Sequence, residues 1–205
     1  MMDFLFMYGD DKLQLDNYYL LKSGDSVEIN TLKVYISRIS LMYDEDVVWK
    51  EDDSFHLVDA SQENSWRLPL YIDSGLKYNS IQFKLGIDSL TNMAGAMGND
   101  LDPTKEMYWT WQSGYINIKL EGKSNLSNAR KNEFKYHLGG YSHPYNSSQS
   151  LAFDVETNEE IKVVFDLRSV LSGLDFGSLD HIMSPSIDAM NLSKRIAEII
   201  RVYHD

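Results

Sequence analysis

Three observations predict a mainly β fold, an antiparallel β-sandwich with short helical insertions and a C-terminal helix. Apolar and polar residues alternate with a period of two in several separated stretches of the 205-residue chain, one mid-chain stretch carries a helix-start signal, and the period becomes helical near the end. A single domain is expected over residues 1–205. A chain of this length buries one sizeable core, and no repeat, low-complexity tract or Pro- or Gly-rich linker divides it.

The elements follow in order. DSVEINTLKVYISRISL sets Leu32, Val34 and Ile36 against Lys33, Tyr35 and Ser37, which is a strand with one face in the core. YDEDVVWKEDD reads as a solvated hairpin, with acidic ends around Val47, Val48 and Trp49. NSIQFKLGI is a second core strand, inward at Ile81, Phe83, Leu85 and Ile87. Asp102 and Pro103 form an N-cap and first-turn pair, so DPTKEMYWTWQSG is expected to hold a short helix or turn that Gly114 terminates.

After Gly114, Ile116, Ile118 and Leu120 point inward, with Tyr115, Asn117, Lys119 and Glu121 opposite them. EFKYHLGG repeats the pattern, with Phe134, Tyr136 and Leu138 in the core and Lys135 and His137 on the polar face. Ile161, Val163, Phe165 and Leu167 give another strand. Ser184-Pro185 opens a segment in which Leu192, Ile196, Ile199, Ile200 and Tyr203 recur with helical spacing, one apolar face from end to end.

Charge and composition exclude several functions. The formal net charge of −12, with 19 basic against 31 acidic residues, argues against nucleic-acid binding, which concentrates Lys and Arg on one face. The absence of cysteine rules out disulfides, thiolate zinc sites, cysteine nucleophiles and c-type haem attachment within this chain. No apolar run approaches the ~20 residues of a membrane span, and MMDFLFMYGDDK lacks the basic and apolar regions of a signal peptide. The sequence therefore predicts a soluble, mature chain.

No catalytic constellation is present. There is no Gly-x-Ser-x-Gly, and the Ser-His neighbours in GGYSH cannot make a nucleophile–base contact on a strand. GAMGND lacks the lysine and the strand-to-helix setting of a phosphate loop. Asn99, Asp100, Asp102 and Glu106 are dense in oxygen donors for calcium, but their spacing is not that of a helix-loop-helix calcium site, and capping explains Asp102. Five histidines remain: His56, His137, His143, His181 and His204. Imidazole suits copper or zinc. His137 leads because it lies on the polar face of a strand just before Gly139-Gly140, and His56 in SFHLVDA follows for a similar context. His143 lies beside a proline, His181 in a Gly- and Asp-rich loop and His204 at the terminus. For Trp109 and Trp111 the expectation is core packing, with a nearby turn accepting from each buried indole N–H.

Five stretches in order resemble the MbnP-like domain family, related to the periplasmic partner of methanobactin uptake and to copper-repressed surface proteins. They are GDSVEINTLKVYISRISL, FHLVDA, IQFKLGIDSLTNMAGAMGNDLDPTKEMYWTWQSGYINIKLEGKS, FKYHLGGY and HIMSPSIDAMNLSKRIAEIIRVY. The resemblance implies a secreted, periplasmic or surface-attached β-sandwich, and a non-catalytic copper-binding accessory role beside a haem-containing peroxidase-like partner. It implies copper held by two histidines, joined in some relatives by a tryptophan oxidised to kynurenine; here His137 or His56, the strand-borne histidines in the stretches that resemble the family, is the expected ligand. Family members often carry a histidine in the N-terminal strand, where this chain has Phe4, Phe6, Met7 and Tyr8. That departure keeps an alternative open, a binding or structural surface domain that has lost the metal site. Met7 offers a soft thioether in place of the histidine, and packing beside Phe4 and Phe6 explains it equally well.

Overall fold

The computed structural model describes residues 1–110, 112–157 and 160–204. Its strands form two principal sheets that face each other. In the smaller sheet the order is β10 (Ile200–His204), β9 (Ile161–Asp166) and β1 (Met2–Tyr8), extended by the short pair Asp11–Lys12. The larger sheet is built on β2 (Ser26–Tyr43), 18 residues long, which bends where its pairing slips between Ser37 and Ser40. Around it the order is β8 (Gln149–Asp154), β5 (Ser80–Leu85), β2, β6 (Gly114–Ser124) and β7 (Glu133–Gly139); β3 (Asp46–Lys50) and β4 (Phe55–Asp59) also pair with β2.

The two-residue period identifies the core. All ten of Ile81, Phe83, Leu85, Ile116, Ile118, Leu120, Phe134, Tyr136, Val163 and Phe165 are buried. Met2, Phe4 and Phe6 of β1 and Ile161, Val163 and Phe165 of β9 face the inner side of the large sheet. The sandwich is mixed rather than antiparallel throughout: β1 pairs with β9 in parallel, Met2 opposite Ile161 through Met7 opposite Asp166. A parallel pair needs a long crossover, and here all of the large sheet but the short strand His181–Ile182 intervenes in sequence.

After the short helix α2 (Arg168–Ser172), the closing helix α3 (Ile187–Ile199) starts two residues later than Ser184-Pro185 suggests, capped by Ser186, whose hydroxyl accepts from the Ala189 N–H at 3.1 Å. Ala189, Leu192 and Ile196 dock on the core. Ile200 and Tyr203 are not on this helix. The chain turns extended at Ile200 and pairs with β9, which buries Ile200 and leaves Tyr203 exposed. Ile200 satisfies helical and strand spacing equally, and the free edge of β9 decides in favour of the strand.

Polar positions on the outer face of the large sheet are also buried, because residues 86–110 fold back over it. That segment contains α1 (Ser89–Ala94), short 3-10 turns and the strand Tyr108–Thr110, and forms a second apolar cluster of Leu101, Met107 and Ile87 with Tyr35, Leu57, Tyr115 and Ile116. The polar groups fasten it: Tyr35 Oη donates to Asp100 O at 2.8 Å, Tyr115 Oη to Leu101 O at 3.0 Å and Ser37 Oγ to Gly86 O at 2.6 Å. Asn117 Oδ1 accepts from Ile87 N–H at 2.9 Å. Asp102 caps the turn Pro103–Lys105 as the sequence indicates, but the turn ends at Glu106, in the left-handed region at φ 63°, while Gly114 instead begins β6.

Candidate metal centre

His137 sits on β7, opposite Lys119 of β6. Alternation sends Tyr136 and Leu138 into the core and His137 to the outer face, yet the residue is only 8% exposed because the overlying segment shelters it. Its Nε2 lies 2.5 Å from Glu121 Oε1. The hydrogen bond from His137 outweighs burial and holds the Glu121 carboxyl below its ordinary value, so Glu121 is an acceptor-only carboxylate at neutral pH and Nε2 carries the proton. In the neutral ring Nδ1 is then a bare lone pair, and it is buried without a hydrogen-bond partner. One imidazole nitrogen held by a carboxylate and the other left open is the arrangement in which metal-bound histidines are oriented.

Trp109 lies beside this site. A Cβ on Gly139, two residues along the same face from His137, would stand 2.6 Å from Trp109 Cζ3, so the indole rests directly on that glycine. The expected turn partner for its N–H is missing: Trp109 Nε1 is buried and unpartnered. Trp111 lies outside the described residues. Lys119 Nζ, across from His137, is 3.7 Å from Glu106 Oε2, placing one cation among Glu121, Glu106 and the imidazole.

His56 is not part of this arrangement. From His137 the lateral row runs through Lys119 and Lys33 to Asp59, three strand spacings or about 14 Å, and His56 lies three residues further along β4, about 10 Å more. It also pairs with Ile36, on the core-side face of the sheet, whereas His137 is on the outer face. One ion cannot take both, so His137 and His56 are separate candidates rather than one ligand set. His56 Nε2 has its own carboxylate, Glu51 Oε2 at 2.8 Å. Burial raises the Glu51 carboxyl, but hydrogen bonds from His56 and Ser54 outweigh it and leave the group lowered. Met7 is on β1 in the other sheet. His143 is exposed, next to the cis bond to Pro144.

Sequence reasoning passed over His181 as a loop residue. The short strand His181–Ile182 lies parallel to β7, with His181 opposite Lys135 and Ile182 opposite Tyr136. A two-residue strand carries no periodicity, so no pattern marks it. Among the described residues no three His, Asp or Glu side chains converge as they would around an ion.

The sequence model of the MbnP family matches residues 1–186. The chain belongs to the MbnP family. The solved structure of MbnP from Methylosinus trichosporium superimposes with a TM-score of 0.64 over 98% of this chain and 96% of that one, at 12% identity, which makes the shared feature the fold. No curated protein sequence matches. Within this MbnP-family sandwich, the His137–Glu121 pair and Trp109 occupy the outer face, and no helix of the described residues is long and apolar enough to cross a membrane.

Proposed function

We propose that this MbnP-family chain is a non-catalytic accessory protein of the cell envelope that binds copper through His137. The observation that carries the reading is the buried, unpartnered Nδ1 of an imidazole whose Nε2 is held by Glu121. That atom fits a metal ligand: leaving it unsatisfied costs roughly 1–3 kcal/mol, which coordination would recover. In this role Glu121 fixes the tautomer and orientation of the ring, and Trp109 walls the site beside Gly139. Bound copper would supply a redox-active centre, and turnover would belong to a haem-containing peroxidase-like partner. An envelope location, periplasmic or surface-exposed, follows from the same reading.

A second reading is favoured by the dispersed donors: an MbnP-family domain that binds a partner protein and holds no metal. Copper affinity of untagged protein, measured by competition with a chelator, separates the two. Wild type should bind one copper more tightly than an unrelated acidic protein with as many histidines, His137→Ala should lose that binding and His56→Ala should keep it. Wild-type binding no tighter than that of the control protein would overturn the copper reading in favour of the metal-free domain.

A further inference from the structure

We propose that a second site, separate from His137, binds a small zwitterion, a free α-amino acid with an aliphatic side chain. The site is a cavity of about 250 Å³ between the end of β4 and the turn Pro103–Lys105, walled by Lys33, Asp59, Asp100 and Lys105 with Leu57 and Leu68. Lying below the ~300–1,000 Å³ of drug-sized pockets, it takes a small ligand. Register sets it apart from the candidate metal centre, since Asp59, opposite Lys33, lies three strand spacings, about 14 Å, from His137 along the same row.

Its two central charges are fixed in place yet poorly satisfied. Asp59 is 4% exposed, and its Oδ1 accepts from the Ser61 N–H at 2.9 Å and the Ser61 hydroxyl at 2.7 Å. Trp66 Nε1 donates to Asp59 O at 2.8 Å, so backbone and side chain are both held. Oδ2 differs, because among the described residues it has only Gln62 Nε2 at 3.3 Å and Lys33 Nζ at 3.5 Å. The Lys33 ammonium, on a side chain 17% exposed, carries three donors, and its partners among the described residues are that oxygen and Lys105 O at 3.2 Å. Charge-assisted contacts close to about 2.7–2.9 Å. A carboxylate oxygen and an ammonium thus face the cavity with bonding capacity unused. An anion alone would meet Asp59 and Asp100, and a cation alone Lys33 and Lys105, whereas a zwitterion offers a carboxylate to Lys33 and an ammonium to Asp59 Oδ2 in one molecule. Leu57 and Leu68, both buried, give an apolar wall for a small aliphatic side chain.

Titration with L-alanine, followed by amide NMR, tests the site. The Leu57, Asp59 and Lys105 amides should shift saturably, and acetate and methylammonium, which carry one charge each, should bind at least tenfold more weakly. Lys33→Met and Asp59→Asn should each weaken L-alanine binding at least tenfold, and Lys194→Met, on the exposed side of α3, should leave it unchanged. Should Asp59→Asn fail to fold, Lys33→Met, which keeps the aliphatic stem, decides alone. Acetate binding as tightly as L-alanine would make this an anion site and overturn the proposal, as would the absence of a saturable shift with L-alanine or wild-type affinity in Lys33→Met.

Discussion

Truncating Ile196 to alanine should weaken the protein at one identifiable point, the seat of α3 on the sandwich. Ile196 is 1% exposed and packs into the main core with Ala189 and Leu192. The substitution removes three carbons, worth about 2.4 kcal/mol at ~0.8 kcal/mol per buried methylene. The cavity left under a helix that cannot collapse onto two sheets adds to this, giving about 3–4 kcal/mol, inside the usual range of about 2–5 for such changes. Urea unfolding followed by far-UV circular dichroism is the assay, with the midpoint falling by about 1.5–2 M at a slope of ~2 kcal/mol/M. Tyr203→Ala is the control, because Tyr203 is 56% exposed on β10, and should cost less than about 1 kcal/mol. Equal losses for the two variants would refute the reasoning, since they would restore one continuous helix face through Tyr203. An Ile196→Ala loss under about 1 kcal/mol would show that α3 is peripheral.

Three further outcomes are expected. Gly139→Ala drives a Cβ against Trp109 Cζ3 at 2.6 Å and Tyr115 O at 2.7 Å, so it should cost about 1–3 kcal/mol and shift tryptophan emission to the red; unchanged emission would mean the indole does not rest on Gly139. Asn117→Ala strips the acceptor from the Ile87 N–H and should cost about 1–3 kcal/mol in chemical denaturation, a neutral result removing Asn117 as a fastener of residues 86–110. Glu121 has a folded pKa held below the ordinary 4.5 by His137, so its contribution is complete above that value and lost as pH falls through the lower folded one. Glu121→Gln should therefore flatten the acid limb of the stability–pH curve, and parallel curves for variant and wild type would contradict the pairing.

The fold was legible where burial is one-sided. In β5, β7 and β9 the apolar residues at every second position all face one core, so the period alone names them. Legibility failed where two environments share one strand. Tyr35, Ser37, Tyr115, Asn117 and Lys119 read as a solvent face, yet every one is buried. Their hydroxyls and amides carry the hydrogen bonds that hold an irregular segment to the sheet, and a tyrosine that donates to a backbone carbonyl looks, in one dimension, like one that faces water. The parallel pairing of β1 with β9 was equally invisible, because no local turn signals it.

The site divides along the same line. Alternation was enough to put His137 on the outer face, and the Glu121 that holds it could be anticipated, since two strands joined by the short connection after Ser124 lie side by side. The partner histidine was chosen for its strand context, and strand context fixes neither the face nor the distance to another strand. His56 satisfied the criterion and lies on the opposite face of the sheet from His137; His181 failed it and lies on a strand paired with β7, opposite Lys135. What brings His181 there is a parallel bridge of two residues, held by Lys135 N–H donating to Asp180 O at 2.8 Å and by Ile182 filling the core beside Tyr136. A ligand set assembled across separate strands is therefore a property of register, and register in this sandwich is settled by which buried residue, Ile182 or another, completes the core.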